Sequence, residues 1–237
     1  MNREKLISYS FYYSGEYDKI LKAIDLNENL PLVNCDNALT IFDEQYPKRL
    51  LELKYPPFVL YYKGNLDLLN GDSIGVVGSR NACDYALKAT QCLVKANIDK
   101  IIISGLAKGI DACAHTYANK TIGILGCGID YIYPRCNYEL IKRVEKEGLV
   151  ISEYPGFAKP LGYHFPFRNR LIACLSDKLY IMQSSTKSGT MTTINEALEL
   201  GREIRVLPYD VFDINGISNN NLINEGAILI GSDEIAF

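Results

Sequence analysis

The sequence has little of what several classes of protein need. It contains 2 histidines and no tryptophan, and none of its 7 cysteines belongs to a C-x-x-C pair. An odd number of cysteines in mostly apolar contexts is typical of reduced thiols that pack as small hydrophobes. Cys113 and His115 lie two residues apart and would point to different faces of a helix. We therefore predict no metal site, and we also predict no cofactor.

Long apolar segments are missing as well. No run approaches the roughly 20 residues that a membrane-spanning helix needs. The charged start, Met1 to Lys5, is not followed by the apolar core of a signal peptide. We therefore expect a cytoplasmic protein without membrane contact. The net charge of -3 does not indicate a polyanionic partner, but a local basic groove matters more than the total charge.

Strands and helices alternate from residue 72 onward. Short apolar runs predict strands, and the amphipathic stretches between them predict helices. The predicted strands are 74–77, 100–104, 121–125, 149–152, 178–182, 203–207 and 227–230. The predicted helices are 83–96, 109–119, 138–147, 167–175 and 190–200. This order predicts an α/β fold with an extended Rossmann-like, doubly wound and mostly parallel sheet.

The first 64 residues differ from the rest. Residues 1–40 are polar with apolar positions at helical spacing, which predicts a small helical N-terminal appendage. Residues 55–64 predict an extended linker segment that is entered through prolines. We therefore divide the chain into residues 1–64, the appendage and linker, and residues 65–237, the Rossmann-like domain.

Glycine-bearing loops follow the predicted strands. After the first strand comes Gly78-Ser79-Arg80, a glycine turn before a helix, which points backbone amides at an anion. Ligands of open α/β sheets bind outside the carboxyl ends of the strands, and glycine lets a ligand approach the backbone. Neither G-x-G-x-x-G nor a P-loop is present. We predict a shared phosphate-binding surface whose loops contain Gly78, Ser79, Gly105, Gly109, Gly126, Gly128, Ser188, Gly189 and Thr190.

Basic and aromatic residues follow the same strands. The basic positions are Arg80, Lys108, Lys159, Arg168, Arg170 and Lys187. Aromatic residues alternate with two of these arginines in the predicted loop 163–170, and such a pattern is typical of single-strand binding, where bases stack and cations hold phosphates. The alternative stays open that Phe165 and Phe167 are core residues and that the arginines pair with Glu153.

Three other polar residues could suggest catalysis. Asp111 and His115 lie one helical turn apart and could form an acid/base pair. We favour instead an Asp111 that caps or charges the first helical turn and a His115 that packs with a satisfied hydrogen bond. For Glu153 we favour a structural pairing with an arginine. No catalytic residue is predicted.

Several motifs in order resemble the DNA-processing protein A family (DprA/Smf). They are Gly78-Ser79-Arg80, residues 104–111 with Ala114-His115, residues 126–130 with Tyr133-Pro134, residues 152–155, residues 165–170, residues 188–190 and Gly226-Ala227. The resemblance implies a Rossmann-like fold that binds single-stranded DNA, forms dimers and loads the RecA recombinase during natural transformation. It also implies phosphate contacts from Arg80, Lys108, Arg168, Arg170 and Lys187, and base stacking on Phe165. The family usually has other residues where Cys83, Ala86 and Gln183 stand.

We therefore interpret the chain as a non-enzymatic protein that binds single-stranded DNA through residues 65–237. It would protect incoming DNA, load RecA and act as a homodimer. The main alternative is a nucleotide-processing enzyme similar to nucleoside-monophosphate phosphoribohydrolases, whose P-G-G-x-G-T loop Ser188-Gly189-Thr190 weakly resembles. A third possibility is an adaptor that acts through dimer and partner contacts.

Overall fold

The computed structural model describes residues 1–185 and 189–236. Over these residues, nine strands form one sheet in the order β1-β2-β6-β5-β4-β3-β7-β8-β9. The strands are β1 (Ala38–Thr40), β2 (Val59–Gly64), β3 (Ser73–Gly78), β4 (Ile101–Ser104), β5 (Lys120–Leu125), β6 (Leu149–Ser152), β7 (Lys178–Gln183), β8 (Glu203–Val206) and β9 (Ile228–Leu229). The α-helices are α1 (Arg3–Tyr12), α2 (Tyr17–Asp25), α3 (Asp84–Ala96), α4 (Ile110–Tyr117), α5 (Tyr138–Glu147), α6 (His164–Leu175), α7 (Gly189–Glu199) and α8 (Ile217–Asn224).

The predicted parallel sheet is confirmed. Strands β3 to β9 lie where the apolar runs predict them, and neighbouring strands among them are parallel. The side chains of β3 to β7 are mostly buried on both faces because helices cover the sheet, as the short runs of isoleucine, valine and leucine indicate, whereas Ile228 and Leu229 of the edge strand β9 are exposed. The fold is therefore α/β and doubly wound.

The chain changes direction in the sheet at β3. It adds β4, β5 and β6 on one side, and helix α6 then carries it back to β7 on the other side of β3. The loops that follow β3 and β7 therefore lead away from each other, and a crevice opens between them at the carboxyl ends of these strands. Such a topological switch point is where open α/β sheets bind ligands.

The N-terminal segment is joined to the sheet. Residues 59–64, which the sequence assigned to a linker, form β2 and pair antiparallel with β6, for example Tyr61 with Ser152. The prolines at 56 and 57 come before the strand, so they remove none of its hydrogen bonds. Leu6 and Ile7 of α1 pack in one apolar cluster with residues of β2, β5 and β6. The division at residue 64 stays a prediction, but sheet and core continue across it.

Helix α6 begins earlier than predicted. It begins at His164 instead of residue 167, so most of the predicted loop 163–170 is helical. Pro166 is compatible with this helix because it lies in the first helical turn, where no backbone amide has an intrahelical partner. Because successive helical residues point in different directions, the aromatic and basic side chains of 165–170 cannot all face one ligand.

The described residues contain neither a membrane-spanning helix nor a cluster of metal ligands. Within ranges 1–185 and 189–236, no helix is both long and apolar enough to cross a membrane. The same part of the chain contains no group of three or more histidine, cysteine, aspartate or glutamate side chains that could hold a metal ion.

Candidate nucleic-acid interface

A cavity of about 670 Å³ lies at the carboxyl ends of β3 and β7. Its walls come from the loop after β3, from the first turns of α6 and from the start of α7. Several predicted site residues line it together, namely Gly78, Ser79, Arg80, Phe165, Arg168, Gly189 and Thr190. The topological switch point thus contains a groove, and residues distant in sequence meet there.

Arg80 and Phe165 form the exposed part of this groove. The Arg80 side chain is exposed and its guanidinium carbon lies 5.4 Å from the centre of the Phe165 ring. The ring of Tyr133 lies 5.5 Å from the Phe165 ring at an angle of 43°. Phe165 is half-buried, so one part of its ring stays open. A free cation beside an aromatic face can hold a phosphate and stack a base at neighbouring positions.

Arg168 lines the groove from below. It is buried, and it donates hydrogen bonds to the backbone oxygens of Gly105, at 2.9 Å, and Ile124. Burial lowers the pKa of Arg168, and the nearby Asp111 carboxylate opposes that change. Asp111 itself accepts hydrogen bonds from the amides of Gly105 and Ala107, at 3.1 and 3.4 Å. Burial raises its pKa. These hydrogen bonds hold the loop after β4 in place.

Arg170 does not reach the groove. Its guanidinium donates two hydrogen bonds to the Glu153 carboxylate, at 2.5 and 2.6 Å, and two to the backbone oxygen of Tyr55. The two paired side chains are only 3% and 6% exposed. The predicted pairing of Glu153 with an arginine is confirmed. A phosphate contact from Arg170 would require this buried pair to open, so we do not retain that contact.

Four of the predicted glycines make room for the protein itself. A Cβ atom at Gly105 would lie 2.4 Å from Nη1 of Arg168, and one at Gly126 would lie 2.8 Å from Cδ1 of Phe165. At Gly109, which has φ +73°, it would lie 2.2 Å from the backbone oxygen of Ser79, and at Gly128 it would lie 2.1 Å from that of Gly156. The space beside these glycines, which we predicted for a ligand, is therefore occupied by neighbouring loops and side chains of the protein.

The remaining predicted residues lie around the groove or beyond the described ranges. Lys108 and Lys159 are exposed, but neither belongs to the described lining of the cavity. Lys187 and Ser188 lie outside the described residues. Gly189 begins α7 and is exposed, and a Cβ atom there would meet no atom of the described residues within 4 Å.

A family model described as DNA recombination-mediator protein A matches residues 37–236. The chain belongs to this family. It is 39% identical over 208 residues to the DNA processing protein DprA of Bacillus subtilis. The aligned region covers 85% of this chain and 70% of that protein. It is 38% identical over 204 residues to DprA of Streptococcus pneumoniae, covering 83% and 72%. The resemblance found in the sequence is confirmed.

Solved structures of DprA proteins share the fold. The X-ray structure of DprA from Streptococcus pneumoniae has a TM-score of 0.82 at 30% identity and covers 98% of this chain and 96% of that one. A structure of DprA from Helicobacter pylori, which concerns the single-stranded DNA binding mode of that protein, has a TM-score of 0.76 at 32% identity. It covers 83% of this chain and 92% of that one.

The groove also contains residues that the sequence did not single out as ligand contacts. Tyr133 and Asn169 both line the cavity. The Asn169 side chain donates to the backbone oxygen of Gly189 at 3.0 Å and so ties α6 to the start of α7. The position of Tyr133 after the third predicted strand was a usable signal. Asn169 gave none, because it stands between two arginines in a segment assigned to a loop.

His115 has the structural environment that the sequence favoured. It is buried on α4, and its Nδ1 lies 2.6 Å from Oγ1 of Thr121. Burial lowers its pKa to about 3, so the ring is neutral at physiological pH. Since Asp111 is engaged by backbone amides, this member of the recombination-mediator family shows no acid/base pair at these two positions.

Proposed function

We propose that this chain binds single-stranded DNA in the groove between β3 and β7. The exposed guanidinium of Arg80 beside the half-buried Phe165 ring carries this proposal, because it combines a phosphate contact with a stacking face. The Helicobacter pylori relative, whose structure concerns single-stranded DNA binding, supports the same class of ligand. Lys108, Lys159, Lys187, Ser188, the amides near Gly78, and Gly189 with Thr190 are the further proposed contacts.

The groove favours an unpaired strand over a duplex. Bases of a duplex are stacked inside the helix and cannot reach a half-buried ring, whereas an unpaired base can rotate onto it. Phosphates on either side of that base would then meet cations that are exposed at the groove and on its rim. Arg168 contributes positive charge from below, and the buried carboxylate of Asp111 offsets part of it.

Oligonucleotide binding tests this proposal directly. We expect a labelled oligothymidylate to bind more tightly than a duplex of equal length, with an affinity that falls steeply as salt rises. Arg80→Ala should weaken binding and reduce the magnitude of the log–log salt slope by about 0.7, the value for one lost phosphate contact on a single strand. Fluorescence anisotropy over a salt series measures both quantities.

Lys146→Ala is the matched control for Arg80→Ala. Lys146 is an exposed cation in the last turn of α5, which ends at the amino edge of the sheet, opposite the groove. Lys146→Ala removes one positive charge, as Arg80→Ala does, but it removes it far from the groove. It should therefore leave the log–log salt slope unchanged. Equal slopes for wild type and Arg80→Ala, or equal loss in both variants, would contradict the groove assignment.

We further propose that the bound chain acts as a homodimer in the cytoplasm, protects incoming single-stranded DNA and loads RecA onto it. Membership in a family of recombination mediators supports this role. The test is RecA-catalysed strand exchange on DNA coated with single-strand-binding protein, which the wild type should accelerate and Arg80→Ala should not. Absence of any acceleration would refute recombinase loading.

We also propose that this chain catalyses no reaction. The buried pairing of Glu153 with Arg170 supports this, because a carboxylate held by two hydrogen bonds from a guanidinium is not free to act as a general base. Incubation with nucleoside monophosphates should therefore release no ribose 5-phosphate. Its release would favour the phosphoribohydrolase-like alternative.

A further inference from the structure

Three aromatic rings meet on the side of α6 that faces away from the groove. Tyr17 from the start of α2 lies 5.4 Å from Tyr55 and 6.2 Å from Phe167, and Tyr55 lies 6.3 Å from Phe167, between ring centres. We call these three residues the outer platform. The Tyr55 side chain is 40% exposed, and Tyr17 and Phe167 are partly exposed.

The back of the outer platform is fixed while its front is open. Tyr17 stacks on Phe58 with ring centres 4.7 Å apart and an angle of 17°. The guanidinium of Arg170 lies 3.7 Å from the centre of the Phe167 ring. These contacts hold the rings in place without covering Tyr55. A preorganised aromatic surface of this kind can stack planar ligands with little loss of side-chain entropy.

The outer platform lies on the same edge of the sheet as the groove. Glu16, which precedes α2, accepts a hydrogen bond from the Tyr163 hydroxyl at 2.7 Å and lies 3.1 Å from Nε2 of His164. Both of these residues adjoin the start of α6, where Phe165 faces the groove. Only the first turn of this helix separates the two aromatic surfaces, and Tyr163, which is 58% exposed, lies there.

The charges around the outer platform suit a phosphate backbone. Lys54 is exposed, and its Nζ lies 5.3 Å from the centre of the Tyr55 ring. Of three nearby carboxylates, Glu153 pairs with Arg170 and Glu16 is held by Tyr163 and His164, while the exposed Asp18 lies near Tyr17. An aromatic face with a free cation at its rim repeats the arrangement of Arg80 and Phe165.

We propose that the outer platform is a second base-stacking site, which takes bases of the same single strand after it leaves the groove across the first turn of α6. This inference rests on the proposed function. The family model covers Tyr55 and Phe167 of the outer platform but not Tyr17, which lies outside residues 37–236. The protein would therefore bind a longer stretch of single-stranded DNA than the groove alone could hold.

Strand length separates the two sites. An oligothymidylate of about 6 nucleotides fits within one site, and one of about 20 nucleotides can span both. Tyr55→Ala should weaken binding of the long oligomer roughly tenfold, the loss of one stacked base, and change the affinity of the short one less than about twofold. Tyr55→Phe keeps the ring and should bind both oligomers as wild type does. Fluorescence anisotropy at constant salt gives the affinities of the wild type and both variants for the two oligomers.

Tyr117→Ala is the matched control. Tyr117 ends α4 at the opposite edge of the sheet, is 38% exposed, and has the Nζ of Lys95 at 5.4 Å from its ring centre. It should bind both oligomers like wild type. Wild-type affinity of Tyr55→Ala for the long oligomer, or an equal loss for both lengths, would overturn the second site. If Arg80→Ala still weakens both lengths, only the second site fails, whereas a wild type that binds neither oligomer refutes the proposed function itself.

Discussion

Helix α6 carries two buried arginines, two residues apart, that differ in how their charge is neutralised. Arg170 forms a closed ion pair with Glu153, with both of its terminal nitrogens on the carboxylate. Arg168 donates instead to carbonyl oxygens and to the Asn169 side chain, while the nearest carboxylate, Asp111, is bound to backbone amides. One arginine therefore joins parts of the fold, and the other leaves positive charge beneath the groove.

The difference shows how little composition says about the role of a charge. Both arginines stand in one aromatic-basic motif, yet the 200° between helical residues i and i+2 turns one toward the groove and the other toward the N-terminal segment. A buried ion pair needs good geometry to compensate its desolvation, and the bidentate Arg170 contact provides it. Substitutions on the two sides should therefore have different consequences.

The largest effect is expected for Glu153→Gln. It leaves the Arg170 guanidinium buried without its counter-charge, so the free energy of unfolding should fall by roughly 3–5 kcal/mol. Urea unfolding followed by circular dichroism measures the loss. As a control, Glu52→Gln removes the Arg202 partner from a pair whose carboxylate side is 52% exposed, and it should cost less than about 1 kcal/mol. Similar losses in the two variants would show that the buried ion pair of Arg170 with Glu153 contributes no more to stability than the exposed pair of Arg202 with Glu52.

Gly105→Ala should be next in size. Its Cβ atom would lie 2.4 Å from the Arg168 guanidinium, so the arginine or the loop must move, and the free energy of unfolding should fall by roughly 1–3 kcal/mol. Gly189→Ala is the control, since it adds a Cβ atom at a helical position with no neighbour among the described residues within 4 Å, and it should change stability by less than about 0.5 kcal/mol. Equal stabilities would show that the space at Gly105 is not needed.

Phe165→Ala should weaken binding of the short oligothymidylate by roughly tenfold, because one stacked base loses its ring. The log–log salt slope should not change, since no cation is removed. Anisotropy titrations at several salt concentrations test both expectations, with circular dichroism to confirm the fold. A changed log–log salt slope with unchanged affinity at low salt would contradict a stacking role for Phe165.

The smallest effect is expected for Asp111→Asn. Because burial raises the pKa of Asp111, its charged form destabilises the fold at neutral pH. The neutral amide can still accept from the loop amides, so stability should stay equal or rise by up to about 1 kcal/mol. As pH falls through the raised pKa of folded Asp111, protonation removes the buried charge. The free energy of unfolding of the wild type should therefore rise relative to that of the variant. Thermal unfolding between neutral and acidic pH checks this, and a loss comparable with that of Glu153→Gln would show that Arg168 also depends on a closed pair.

Much of the fold could be predicted from the sequence, and about half of the groove. Apolar runs such as 74–77 and 149–152 predict β3 and β6 because strands buried on both faces must be apolar along their whole length. Gly78, Ser79, Arg80 and Phe165 were placed correctly at the carboxyl edge, because parallel strands deliver their following loops there. The prolines before β2 misled the assignment of residues 59–64, since proline excludes hydrogen bonding only where an amide is needed.

The sequence by itself determined the parallel sheet, the edge at which its loops meet and the residues that these loops bring to that edge, because all three follow from local periodicity and chain direction. Only the tertiary structure decided that Arg168 lies under the groove while Arg170 pairs with Glu153, and that Gly105 and Gly126 make room for Arg168 and Phe165. Those outcomes depend on the starting residue of α6 and on contacts between segments far apart in the chain, which local sequence patterns do not encode.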